Sequence, residues 1–123
     1  MIPTKVQLHK QSRTLELHFG ARHYQLGAEY LRVHSPSAEV KGHGPGQAVL
    51  QFGKIDVGIS GIERAGNYAL KILFDDGHDS GIYTWDYLYQ LAVEQEHKWQ
   101  AYLDALAAAG KSREKDTSVV KFV

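Results

Sequence analysis

Val6 and Leu8 alternate with Gln7 and His9, and Leu15, Leu17 and Phe19 alternate with Glu16 and His18. A period of two is that of strands buried on one face. Lys10 to Arg13 reads as the turn between these runs. Gly20 to His23 reads as a short connection into Tyr24 and Leu26, so the first 26 residues predict a small antiparallel meander.

At Ala28 the pattern changes. Ala28 to His34 is made of helix-favouring residues with Tyr30, Leu31 and His34 at helical spacing, which predicts about two turns. Ser35-Pro36-Ser37 stops it, because the residue before proline is driven out of the α region. Val40 to Gly46 is rich in glycine and proline and reads as a loop. The strand pattern resumes at Val49 to Phe52 and continues through Ile55, Val57, Ile59 and Ile62, with Gly53-Lys54 as a turn and Gly58 as a bulge.

Asn67 to Phe74 is the clearest strand, with Leu70, Ile72 and Phe74 on one face. Asp75 to Gly81 has the composition of a turn, and Ile82-Tyr83-Thr84 completes a hairpin. Leu88, Leu91, Ala92, Trp99, Tyr102, Leu103 and Leu106 then recur every three or four residues. They predict one long helix from Trp85, capped by Thr84 or Asp86 and stopped by Gly110. The expected architecture is α+β: an antiparallel sheet of five to seven strands, one short helix, and one long C-terminal helix packed on the sheet. Residues 1–110 form a single domain in this reading, and the charged stretch 111–123 a mobile tail.

Composition narrows the function. The chain has 123 residues, 43% of them hydrophobic, enough for one core. Fourteen Lys and Arg balance fourteen Asp and Glu, which leaves no basic field to hold nucleic acid or an anionic membrane. There is no cysteine, which excludes disulfides and every metal site that needs a thiolate. The start of the chain has no signal sequence and no stretch is long enough to span a bilayer, so a cytoplasmic location is expected.

Seven histidines are scattered at positions 9, 18, 23, 34, 43, 78 and 97, none paired at the spacing of a helical zinc site. His9, His18 and His23 read as surface strand positions. His34, His43 and His78 lie in or beside loops, where a ligand could turn towards a metal. Asp75-Asp76-Gly77-His78-Asp79 surrounds an imidazole with carboxylates, which suits a general base or a hard cation, yet tight turns need Asp and Gly for their own backbone reasons. Gly58-Ile59-Ser60-Gly61-Ile62 lacks the glycine of a nucleophile elbow. Gly42-His43-Gly44-Pro45-Gly46 lacks the lysine of a phosphate loop. Tyr83, Trp85, Tyr87 and Tyr89 cluster where strand meets helix, and Trp85 could anchor a partner or fill that seam.

In order and spacing, Leu31-Arg32, Ser35-Pro36-Ser37-Ala38-Glu39, Gly42-His43-Gly44, Gly66-Asn67-Tyr68-Ala69, Phe74-x-Asp76-Gly77-His78 and Gly81-Ile82-Tyr83-x-Trp85-x-Tyr87-Leu88 resemble the γ-butyrobetaine hydroxylase-like N-terminal domain family, DUF971, over residues 8 to 92. The family includes free-standing bacterial proteins of this size. Similar domains precede the catalytic domain of γ-butyrobetaine and trimethyllysine hydroxylases, and follow the ATPase domain of some Mrp-type iron–sulfur carriers. In the hydroxylases the resembling domain is a zinc module with three cysteines and one histidine. The histidine carries over onto His78, but the cysteine region here reads His34 to Val40 and holds no thiol.

The resemblance implies the fold and not hydroxylase chemistry, whose iron site lies in a separate domain. The expected function is a non-catalytic protein-interaction or accessory module, linked to iron–sulfur carrier or assembly systems. It would be a monomer that uses Arg32, Ser35, Ser37, His43, His78 and Trp85 on one surface. The alternative is a histidine-based zinc-binding domain using His34, His43 and His78. A small hydrolytic enzyme built on Asp76 and His78 ranks third and requires a deep pocket at that turn.

Overall fold

The computed structural model describes residues 1–115. The alternating runs at the start form β1 (Lys5–His9), β2 (Thr14–Phe19) and β3 (Arg22–Gly27), paired antiparallel in that order. Val6 lies opposite Leu17, Leu8 opposite Leu15, and Leu15 opposite Leu26, so the apolar positions of all three strands share one face. Leu15, Leu17 and Leu26 are fully buried there, each contributing roughly 1.5–3 kcal/mol by leaving water.

α1 (Ala28–Val33) follows β3 directly and is buried at Ala28, Tyr30, Leu31, Arg32 and Val33. A second short helix, α2 (Ala38–Lys41), replaces the start of the expected loop. Ser37 initiates it, its hydroxyl accepting the Glu39 N–H at 3.3 Å. β4 (Ile59–Ala65), β5 (Ala69–Phe74) and β6 (Gly81–Thr84) form a second antiparallel sheet, and an irregularity in β4 falls between Ile59 and Gly61. Both sheets, α1 and the helix that begins at Trp85 meet in one core, with Leu17, Phe19 and Leu26 on one side and Leu70, Ile72, Phe74 and Tyr83 on the other.

The single sheet of five to seven strands is therefore corrected to two sheets of three. The physical reason is the segment from Val49 to Val57, where strand was expected on both sides of a turn at Gly53-Lys54. It is an irregular strap instead. Gly53 takes a left-handed φ of 68°, as the expected turn requires, but the residues on either side of it pair with no strand. The strap is tied by isolated bonds: the Val49 N–H donates to Val40 O at 2.8 Å, the Tyr102 hydroxyl to Gln51 O at 2.8 Å, and the Gly53 N–H to Ser112 O at 2.9 Å.

The long C-terminal helix is likewise two helices, α3 (Trp85–Val93) and α4 (Gln95–Ala109), divided at Glu94. Thr84 caps α3 as its sequence suggests, accepting the Tyr87 N–H at 3.1 Å. A straight helix over residues 85–109 would be roughly 37 Å long, more than sheets of four to seven residues per strand can cover. The bend lets α3 bury Leu88 and Leu91 in the main core while α4 buries Tyr102 and Leu106 against Val33 in a second, smaller one. Gly110 ends α4 as expected.

Of the stretch expected to be a mobile tail, residues 111–113 are held. The Ile55 N–H donates to Arg113 O at 3.0 Å, and the Arg113 guanidinium pairs with both oxygens of Glu29 while lying 5.0 Å from the Trp99 ring centre. Residues 116–123 of that stretch lie outside the described residues. Among the described residues no helix is long and apolar enough to cross a membrane.

The outer face of the first sheet holds a polar chain that strand pairing assembles. His9 Nε2 lies 2.9 Å from one Glu16 oxygen, His18 Nε2 bonds the other, and the His18 and His23 rings stack at 3.6 Å. Hydrogen bonds from His9 and His18, helped by Lys5, hold the Glu16 carboxyl down to about 2 against the opposing effect of burial. A depressed carboxylate contributes stability above its unfolded titration range that is lost as pH falls through the folded value. Glu16→Gln is accordingly expected to lower the thermal midpoint at neutral pH and to flatten its fall between pH 4.5 and about 2. Parallel midpoint curves for the two proteins across that window would show that Glu16 contributes nothing.

Candidate functional site

The last turn of α1, the segment into α2, and the turn between β5 and β6 converge on one buried cluster. α1 ends at His34, and the chain then runs extended through Pro36, which carries the side chains of Ser35 and Ser37 towards the hairpin turn. Gly77, at a left-handed φ of 90°, bends that turn so that the His78 N–H donates to Asp76 Oδ1 at 3.1 Å. His78 is thereby aimed inward. Its Nε2 lies 2.8 Å from Ser35 Oγ and its Nδ1 3.0 Å from Glu39 Oε2 on α2.

A carboxylate can only accept, so in the neutral ring Nδ1 carries the proton and Nε2 accepts from the Ser35 hydroxyl. Ser35 Oγ in turn accepts the Ser37 N–H at 3.3 Å, and Ser37 Oγ meets Ser80 Oγ at 2.8 Å. Every buried side-chain nitrogen and oxygen among the described residues has a partner.

Beside this chain sits an ionic group. Arg32 Nε donates to Asp76 Oδ2 at 2.9 Å and Lys54 Nζ to the same oxygen at 2.6 Å. Burial alone would raise the Asp76 carboxyl, but Lys54, the His78 N–H and Arg32 outweigh it and hold the group below the usual carboxylate range. Arg32 also donates from a terminal nitrogen to Gln51 Oε1 at 3.0 Å. The cluster thus reaches the strap twice, at Gln51 and at Lys54. A third tie comes from Asp75, which accepts the Gly58 N–H at 2.9 Å at the strap's end.

Arg32, Ser35, Ser37 and His78, four of the residues selected from the sequence, are brought together, but at 0 to 9% exposure. Their bonds point inward. Trp85 stands apart, buried with its indole N–H on Asn67 O at 2.9 Å. His43 is exposed on the loop after α2. His34 caps α1 with Nδ1 2.8 Å from Tyr30 O, and its ring lies against Tyr30; burial, aided by Lys98, depresses its proton affinity despite the Tyr30 carbonyl.

The donor set does not fit a zinc ion. Ser35 and Ser37 supply hydroxyls where tetrahedral sites use thiolates or imidazoles, and both nitrogens of His78 are already bonded. Among the described residues no three His, Asp or Glu side chains are arranged to hold a metal, and His34, His43 and His78 form no such group. The order Ser35–His78–Glu39 is that of nucleophile, base and orienting carboxylate, yet the serine has no exposed surface at all.

Sequence reasoning did not find Glu39 or Gln51, nor the role of Gly81. Glu39 stood in the family pattern Ser35 to Glu39, two residues after the capping Ser37, but nothing in that pattern paired it with His78. Gly81 is required by close approach, because a Cβ there would lie 2.7 Å from Ser35 Oγ and 3.0 Å from Tyr83 Cε1.

Two three-stranded antiparallel sheets, the α3 helix across them and a buried serine–histidine pair held by the exposed Glu39 carboxylate define a small α+β domain in which the serine has no exposed surface. The profile of the family described as Gamma-butyrobetaine hydroxylase-like, N-terminal, matches residues 6–89, and the chain belongs to that family. A protein known from a solution NMR structure is 61% identical, with a TM-score of 0.84 over 98% of this chain and 96% of its own. A second NMR structure is 46% identical, with a TM-score of 0.79 over 99% of this chain and 93% of the other. A crystal structure of a DUF971 protein of unknown function from Acidithiobacillus ferrooxidans is 31% identical, with a TM-score of 0.60 over 73% of this chain and 91% of that one. No curated protein matches the chain.

Proposed function

We propose that the chain is a non-catalytic protein-binding module, monomeric and cytoplasmic, whose contact surface is the strap from Val49 to Ile55 with the His43 loop beside it. The observation that carries this reading is the direction of the motif's bonds. Arg32, Asp75, Asp76, Ser35, Ser37 and His78 hold the strap and α2 in place from inside, and the strap then displays Val49, Phe52 and Ile55 at 54, 43 and 36% exposure. Apolar side chains on a pinned segment lose little freedom on binding, which favours recognition. The burial of Ser35 argues against a hydrolase. An iron–sulfur carrier or assembly protein enters as a candidate partner through the family resemblance alone.

The reading is tested by placing a photo-crosslinking phenylalanine analogue at position 52 and, as a control, at exposed Ile82 in cells. Discrete protein adducts are expected at position 52, absent at 82, and lost when Val49→Ser and Ile55→Ser are added. Adducts that are equal at both positions, or absent at 52, would overturn it.

A further inference from the structure

The strap borders a cavity of about 330 Å³ whose apolar lining includes Val33, Val40, Val49, Leu50, Tyr87 and Tyr102. That volume is at the lower end of the roughly 300–1,000 Å³ typical of small-molecule sites, so it suits one bulky side chain better than a whole cofactor. One lysine stands on its rim and a second over the strap beyond it. Lys41, which lines the cavity, lies 5.0 Å from the Tyr87 ring centre, and Lys111 lies 4.8 Å from that of Phe52. Among the described residues neither lysine has an acidic partner, whereas Lys54 and Arg113 are paired with Asp76 and Glu29. The acidic group of α2, Glu39, is turned towards His78, which it meets at 3.0 Å, and makes no ion pair with Lys41.

An apolar pocket with Lys41 on its rim, next to exposed Val49 and to a Phe52 covered by Lys111, neither lysine paired with an acidic group among the described residues, is a local and directional feature on a chain of zero formal charge. Buried apolar anchors supply most of the energy of such contacts, and rim charges select the partner and speed its approach. Resting on the protein-binding reading above, we infer that the partner of this surface is an acidic peptide segment with one bulky apolar anchor. The anchor enters the cavity between α2 and the strap, and the flanking carboxylates meet Lys41 and Lys111. Nucleic acid offers the same charge, but its bases carry polar edges that an apolar pocket would leave unpaired.

The test is a titration of ¹⁵N-labelled full-length protein, followed by amide shifts. The probes are four: a synthetic peptide with a central phenylalanine between glutamates, the same peptide with lysines for glutamates, the same with a central alanine, and a single-stranded oligothymidylate. The acidic phenylalanine peptide is expected to shift amides of residues 40–55 and to bind more tightly than the others. Lys41→Glu with Lys111→Glu is expected to weaken it roughly tenfold or more and to reverse the preference towards the lysine peptide. Equal binding of the alanine peptide, tighter binding of the lysine peptide or the oligonucleotide, or no shift in residues 40–55 would overturn the inference. Crosslinking at position 52 that persists in that event leaves the protein-binding reading standing and removes only the acidic partner; loss of the crosslink removes both.

Discussion

Asp76→Ala is expected to lower the unfolding free energy by about 3 kcal/mol, the lower end of the cost of breaking a buried ion pair. Asp76 retains some solvent contact, which is why the lower end applies. The loss has three sources. The Arg32 guanidinium, almost wholly buried, is left with Gln51 as its remaining partner. The His78 N–H loses its acceptor, so the turn that aims the imidazole is no longer closed. Lys54 loses its anchor and the strap one of its ties.

Asp76→Asn keeps the shape and an acceptor, and should cost less. Arg32→Met combined with Asp76→Ala removes the unpaired charge and is expected to be more stable than Asp76→Ala alone. Urea midpoints with a common slope measure these three variants and Arg32→Met alone. Additive losses for Arg32→Met and Asp76→Ala would show that the pair is not coupled. The pH dependence follows from the depressed carboxyl: its contribution is present above the unfolded carboxylate range and is lost as pH falls through the lowered folded value. Asp76→Asn should flatten that acid limb.

Gly81→Ala is the second large effect, about 2 kcal/mol within the range for overpacking a filled core. The added methyl would meet Ser35 Oγ at 2.7 Å and Tyr83 Cε1 at 3.0 Å. Neither neighbour is free to yield. Ser35 is bonded to His78 and to the Ser37 N–H, and Tyr83 is fully buried with its hydroxyl on Leu31 O. Ser35→Gly removes the closer contact, so the Ser35→Gly, Gly81→Ala pair should be less destabilised than the sum of its parts. Thermal melts of the four proteins of this cycle decide it. A Gly81→Ala protein as stable as the parent would mean that the hairpin and α1 do not sit as close as the geometry states.

Both effects depend on contacts that no local pattern announces. Alternation at Leu15, Leu17 and Phe19, and again at Leu70, Ile72 and Phe74, determined the strands, because a strand exposes its faces with period two whatever it later packs against. The cap at Thr84 and the stop at Gly110 were legible for the same reason: they serve backbone groups within a few residues. Arg32, Ser35, Ser37 and His78 could be singled out as unusual residues in loops and in a family pattern. That they close on one another could not.

Ser35 and His78 are 43 positions apart, and Arg32 and Asp76 are 44. Their bonds exist only because α1 and the second hairpin are packed into the same core. The same reason separates the two sheets, since strand-like residues such as Val49 and Phe52 become a strap when Tyr102, Ser112 and Arg32 take up its polar groups from outside any sheet. It also divides the helix at Glu94, because two cores lie along a stripe that looks continuous in one dimension. The sequence by itself determined the alternating strands on either side of α1 and in the second hairpin, the cap at Thr84, the stop at Gly110, and which residues are chemically conspicuous. Only the tertiary structure decided which of them face solvent and which hold the surface in place, because burial is a property of the packed whole and not of any local run.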